Sequence, residues 1–128
     1  MMIYISTKYQ EIDIFNKAKQ LCEKLNHNII CDWTKHKPYK EISREECKKQ
    51  ASEDLEGINK CDVFILIYNG IIGTGMSFEL GYAMAQQKQI IVVDLIGDIE
   101  EKSMFISLIS KNNIVTSFDD LKKLLEVK

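Results

Sequence analysis

Hydrophobic positions along the chain change period several times, and each change marks an element. Met2–Ile5 is a short apolar run edged by Ser6-Thr7, which predicts a first strand. Ile12, Phe15, Ala18, Cys22 and Leu25 recur at three- and four-residue spacing, the mark of a helix that lays one face on a sheet. Asn28–Asp32, built around Ile29, Ile30 and Cys31, predicts a second strand. Thr34–Lys40 is polar and holds the only proline, Pro38, so it reads as a loop. Ser43 with Glu46 three residues on has the capping-box pattern and opens a helix to about Asn59. Asp62–Tyr68 reads D-V-F-I-L-I-Y, and an unbroken apolar run argues for a strand buried on both faces. A glycine-rich turn, Asn69–Gly75, leads into a helix over Ser77–Gln87 whose Leu80, Ala83 and Met84 face inward. Gln89–Leu95 is another doubly buried strand. Residues 97–110 read as a loop and a helix, Asn113–Thr116 as a short last strand, and Phe118–Val127 as a closing helix.

Five strands alternating with helices predict a parallel sheet covered on both faces, because right-handed crossovers lay a helix over the sheet at each step. Ligands of such sheets bind beyond the carboxyl ends of the strands. That rule nominates Ser6-Thr7, Asp32-Trp33, Tyr68–Gly75, Asp94-Leu95 and Thr116-Ser117. At 128 residues the expectation is a single domain over 1–128.

Charge narrows the partners. Seventeen cations, of which only Arg44 is an arginine, face 19 acids for a net charge of −2. Polymeric nucleic acid calls for a more basic, clustered surface, whereas a small anion can be held by a few backbone amides. No apolar stretch approaches the roughly 20 residues that span a bilayer, so no membrane partner is expected. Met1-Met2-Ile3-Tyr4 is too short and uncharged for a signal peptide. Cys22, Cys31, Cys47 and Cys61 form no C-x-x-C pair, and no histidine lies at zinc-like spacing from two of them. Reduced thiols in a cytoplasmic protein, with no metal and no cofactor, are the expectation. His27 and His36 read as solvated loop residues.

The chemistry concentrates between Asp54 and Ala83. Gly73-Thr74-Gly75 is neither a Walker A loop, since no G-K-S/T follows, nor a Rossmann fingerprint, since Phe78 stands where the third glycine belongs. A glycine turn alone is also what a purely structural turn looks like. Glu79 lies just inside the following helix, where the dipole favours an ionised carboxylate, and a carboxylate in a glycine-lined pocket can serve as nucleophile or stabilise an oxocarbenium ion. A capping acid on the surface is the alternative. Asp54 falls on the helical face of Gln50, Ala51 and Ile58, away from Glu53 and Glu56. An acid on an apolar stripe approaches a pocket or needs a partner. Trp33 suits either stacking on a planar base or a place in the core.

Asp54-Leu55-Glu56-Gly57-Ile58, the Asp62-led strand, Gly73-Thr74-Gly75-Met76 and Glu79-Leu80-Gly81-Tyr82-Ala83 stand in an order and spacing that resembles the nucleoside 2-deoxyribosyltransferases and the related deoxynucleoside-monophosphate N-glycosidases. Ile3-Tyr4-Ile5 resembles that family's first strand. The resemblance implies a flavodoxin-like three-layer αβα sandwich with a five-stranded parallel sheet. It implies Glu79 as the nucleophile at the anomeric carbon, Asp54 handling the proton of the departing base, and Tyr4 holding the nucleophile. Met76, Ser77 and the amides of Gly73 to Gly75 would line the sugar or phosphate side, and from this sequence's own residues Ser6, Thr7, Trp33 and Asn69 join the candidate substrate-binding set. It also implies a homo-oligomer acting on a small nucleoside or nucleotide. Two departures stand out. Ser6-Thr7-Lys8-Tyr9 replaces a glycine- or arginine-bearing loop, and Asn69-Gly70-Ile71-Ile72 lacks base-reading acids. Two other classes share the pattern: a non-catalytic nucleotide sensor, and a Toll/interleukin-receptor-like domain that cleaves NAD.

Overall fold

The computed structural model describes residues 1–127. Five strands, β1 (Met2–Ser6), β2 (Asn28–Ile29), β3 (Val63–Tyr68), β4 (Gln89–Asp94) and β5 (Ile114–Val115), form one sheet in the order β2-β1-β3-β4-β5. Every pairing is parallel. Among the described residues the α-helices are α1 (Ile12–Lys24), α2 (Arg44–Lys60), α3 (Thr74–Ala85), the single turn α4 (Ile99–Lys102) and α5 (Phe118–Glu126). Helices α1 and α5 pack together, as do α2 and α3. Because the chain first steps from β1 to β2 and then returns past β1 to β3, right-handed crossovers put these two pairs on opposite faces. The result is the expected three-layer αβα architecture.

The core follows the hydrophobic pattern. All six residues of β3 are buried, as are Ile90 to Asp94 of β4. Asp94 sits in this apolar setting because its carboxylate accepts from the backbone amides of Ile96, Gly97 and Ile99, at 3.2, 2.7 and 2.9 Å. The acid at that strand end is therefore occupied in shaping the following loop.

Some boundaries differ from expectation. Strand β2 stops after two residues instead of reaching Asp32. Ile30 still donates its amide to the Ile3 carbonyl, but Cys31 then turns into the left-handed region at φ 61° and breaks the ladder. Residues 34–40, read as loop, carry most of two 3-10 turns, Trp33–Lys35 and Tyr39–Glu41. Helix α2 is capped as expected, with the Glu46 amide donating to Ser43 Oγ at 3.1 Å. Helix α3 starts one turn before Ser77, because Gly73 serves as its N-cap. It ends at Ala85, and Gln87 follows at φ 57°. Among the described residues no helix is long and apolar enough to cross a membrane.

Candidate active site

The strand order reverses direction between β1 and β3, and it is at the carboxyl ends of the strands beside such a switch point that open α/β sheets form their ligand crevice. The candidate residues converge there. Tyr4 and Ser6 lie two apart on β1 and so emerge on one face of the sheet. Both meet Glu79, on the second turn of α3. The Tyr4 hydroxyl donates to Glu79 Oε2, and the Ser6 hydroxyl donates to Oε1 at 2.8 Å. Tyr4 is completely buried and stacks on Phe64, its register partner on β3, at 5.7 Å and nearly parallel planes. Burial, and then the charges of Glu79 and Asp54, push the Tyr4 phenol far up, so it remains an O–H donor.

Helix position alone had suggested that Glu79 is held ionised. The carboxyl is instead pushed up to about 7, chiefly by burial, against the Tyr4 and Ser6 hydrogen bonds that favour the charged form. The helix dipole fades within its first turn, and with α3 beginning at Thr74 the carboxyl stands beyond it. This raised value links folding to pH. The folded chain holds a proton that the unfolded chain, with its ordinary value of 4.5, releases. The resulting stabilisation is fully present below pH 4.5 and is lost as the pH rises through about 7. Glu79→Gln cannot titrate. Denaturant unfolding at pH 5 and pH 8 should show the variant losing about 1–3 kcal/mol less stability than the parent across that interval, a range set below the full shift because solvent reaches the partly exposed carboxyl. Equal losses would contradict the assignment.

Asp54 reaches the same crevice from α2. Its Oδ1 accepts from the Cys31 thiol at 3.1 Å and lies 3.6 Å from His36 Nδ1. Burial is the largest cause holding its carboxyl above the usual range. Its charge in turn acts to raise Glu79 and Tyr4, so the two acids share one field. Gly57, one turn further along α2, permits this approach. A Cβ there would stand 2.9 Å from the Cys31 Cβ and 3.4 Å from the Tyr4 ring.

The remaining predicted residues divide. Thr7 is buried and donates its hydroxyl to the Lys8 carbonyl at 3.1 Å. Gly73 donates its amide to Met76 Sδ at 3.4 Å and accepts the Ser77 hydroxyl at 3.2 Å, which fixes the start of α3. Gly75 faces open space. Asn69 is exposed and its amide donates to Glu11 Oε2 at 3.2 Å. Trp33 does not fit the base-stacking reading. It is 7% exposed, with its indole N–H on the Ile5 carbonyl at 2.9 Å and its ring between Tyr9 and an edge-on Phe15. No ring face is left for a base. His36, read as solvated, is largely covered and lies 3.3 Å from Glu53 Oε2 as well as beside Asp54. Cys31 and His36 had carried no signal because they reach Asp54 only through the kink after β2.

The family model for nucleoside 2-deoxyribosyltransferase matches residues 3–109. None of the curated proteins matches the sequence closely. Among solved structures, the 2-deoxyribosyltransferase of the psychrotolerant bacterium Bacillus psychrosaccharolyticus superposes with a TM-score of 0.81 at 22% identity, over 95% of this chain and 90% of its own. The 2-deoxyribosyltransferase of Leishmania mexicana gives a TM-score of 0.67 at 16% identity, over 98% of this chain and 97% of its own. The CMP N-glycosidase of Clostridium botulinum gives 0.65 at 18% identity, over 99% and 97%. These likenesses speak to the fold. The family match spans most of the sequence, and it places this chain in the nucleoside 2-deoxyribosyltransferase family.

Proposed function

We propose that the protein cleaves or exchanges the N-glycosidic bond of a nucleoside or nucleoside 5′-monophosphate, with Glu79 as nucleophile. The observation that carries this reading is a partly buried carboxylate whose two oxygens are both held by hydroxyl donors, with a second acid in its field. Breaking the bond leaves positive charge on the sugar and negative charge on the base. Glu79 meets the first by attacking the anomeric carbon and forming a glycosyl ester. Asp54 meets the second by giving its proton to the base as the carbon–nitrogen electron pair leaves with it. Water or a second base then attacks the same carbon, passing its proton to the ionised Asp54, and the ester bond breaks to release Glu79 as the carboxylate. The hydrogen bonds favour this division of labour. Tyr4 and Ser6 stabilise charge on Glu79, whereas Asp54 receives only a weak thiol donor.

Thr7, Lys8, Ser77 and the amide of Gly75 are the groups we assign to the sugar and any phosphate, since the Gly73 amide is engaged by Met76 Sδ. The family also suggests a homo-oligomer, and the exposed side chains of Phe78, Met104, Phe105 and Leu108 offer apolar surface for one.

The test is chromatographic. Nucleosides, their monophosphates and NAD are incubated with the protein, each with and without a second base. Free base from a nucleoside or monophosphate is expected, and a new nucleoside formed only with added base marks a transferase. Nicotinamide release would favour the NAD-cleaving alternative, and binding without any release would favour the sensor. Asp54→Asn should then slow substrates with poor leaving groups most, by about 10²–10⁴-fold. An equal loss across leaving groups would assign Asp54 to positioning.

A further inference from the structure

Beside the crevice, three metal-ligating groups from three separate segments face one another. Cys31 Sγ, a His36 ring nitrogen and an Asp54 carboxylate oxygen all lie within 4.8 Å of each other. They come from the kink after β2, the residue that caps the following 3-10 turn, and helix α2. Two of the three edges are measured directly, 3.1 Å from Cys31 to Asp54 and 3.6 Å from His36 to Asp54. A tetrahedral zinc with bonds of about 2.0–2.3 Å sets its ligand atoms about 3.3–3.8 Å apart. The cluster is thus close to the spacing of such a site, and modest side-chain rotation closes the third edge.

We propose that Cys31, His36 and Asp54 form a binding site for a thiophilic divalent cation, zinc above all. A second feature points the same way. His36 turns Nδ1 toward Asp54 and Nε2 toward Glu53 Oε2, at 3.3 Å. A histidine that ligates through one nitrogen usually donates its other N–H to a carboxylate, and Glu53 stands where that acceptor belongs. Thiolate, imidazole and carboxylate together suit zinc, whereas magnesium and calcium prefer all-oxygen sets. Cys31, His36, Glu53 and Gly57 line an open groove, which gives the ion a path and a water the fourth coordination position. On binding, the Cys31 thiol releases its proton to solvent and exchanges its hydrogen bond to Asp54 for a sulfur–metal bond. A metal-held Asp54 has no proton to give, so zinc should suppress base release. That consequence rests on the reading of Asp54 as proton donor, while the binding does not.

Cobalt(II) serves as the optical probe. Titration of the full chain should saturate at one ion per chain, with thiolate-to-cobalt absorption in the near ultraviolet that added zinc displaces. Cys31→Ser should remove that absorption, and both Cys31→Ser and His36→Ala should weaken zinc binding at least about tenfold by calorimetry. Cys47→Ser should change neither, and circular dichroism checks that each variant is folded. Binding that survives unchanged in folded Cys31→Ser and His36→Ala, or the lack of any saturable one-to-one binding, would overturn the site. Base release is then measured with and without zinc, each variant against its own metal-free rate. Suppression confined to chains that retain the intact cluster supports the regulatory consequence. Zinc bound at the cluster with turnover unaffected would leave the site standing and overturn the proton-donor role instead.

Discussion

Glu79→Ala should lower base release by at least about 10³-fold, which corresponds to roughly 4 kcal/mol of barrier. The side chain is assigned two tasks at once. It shields the positive charge that develops on the sugar, and it closes the covalent ester that separates departure of the base from attack by the acceptor. Alanine supplies neither. The fold should survive, because Glu79 is only partly buried and its truncation opens space through which water can reach the otherwise buried Tyr4 and Ser6 hydroxyls. Substrate binding should therefore persist while turnover is lost. Glu79→Gln refines the comparison. It keeps an oxygen acceptor for one of the two hydroxyls but cannot attack, so a comparable loss would separate nucleophilic chemistry from mere hydrogen bonding. Parent-like rates in either variant, measured with a substrate found in the base-release screen, would remove the central assignment.

The second large effect is expected at a residue with no chemistry of its own. Gly57→Ala should destabilise the protein by about 1–3 kcal/mol in denaturant unfolding, even though alanine in a helix is worth up to about 1 kcal/mol over glycine. The added methyl would stand 2.9 Å from the Cys31 Cβ, an atom fixed to the backbone, and 3.4 Å from the Tyr4 ring, which is fully buried. Neither can swing away, so α2 must lift from β1. Asp54 rides on the preceding turn of that helix and would lift with it, so turnover should fall about tenfold or more on top of the loss in stability. Gly81→Ala is the control. It lies in α3 with nothing within 4 Å of the new Cβ, so there the helix preference should prevail and the variant should gain stability. A stable, fully active Gly57→Ala would show that the close approach is not needed.

The contrast between these positions shows what could be read from sequence. Strand and helix alternation was legible because period alone carries it, and the two-residue spacing of Tyr4 and Ser6 already places them on one face. The ionisation of Glu79 was not legible. Helix position suggests a charged carboxylate, whereas burial, a property of the assembled layers, drives the value the other way. Trp33 could stack or pack on its composition, and only the arrival of Phe15 and the Ile5 carbonyl settles it in the core. The surroundings of Asp54 were hidden for a different reason. Cys31 reads as part of an apolar strand, and nothing in its neighbours announces a left-handed residue there, since non-glycine residues adopt that conformation only rarely. The kink both ends β2 and presents the thiol to Asp54, so one backbone feature accounts for the shortened strand and for the missed contact.

The hydrogen bond between Tyr4 and Glu79 joins positions 75 residues apart in the chain. Closing so long a segment has an entropic cost that local helix formation cannot offset, and the bond exists only once β1 has paired with β3 and α3 has docked. Helical signal can return to a refolding chain from local contacts alone. Turnover cannot, and so it reports the completed long-range assembly of the sheet.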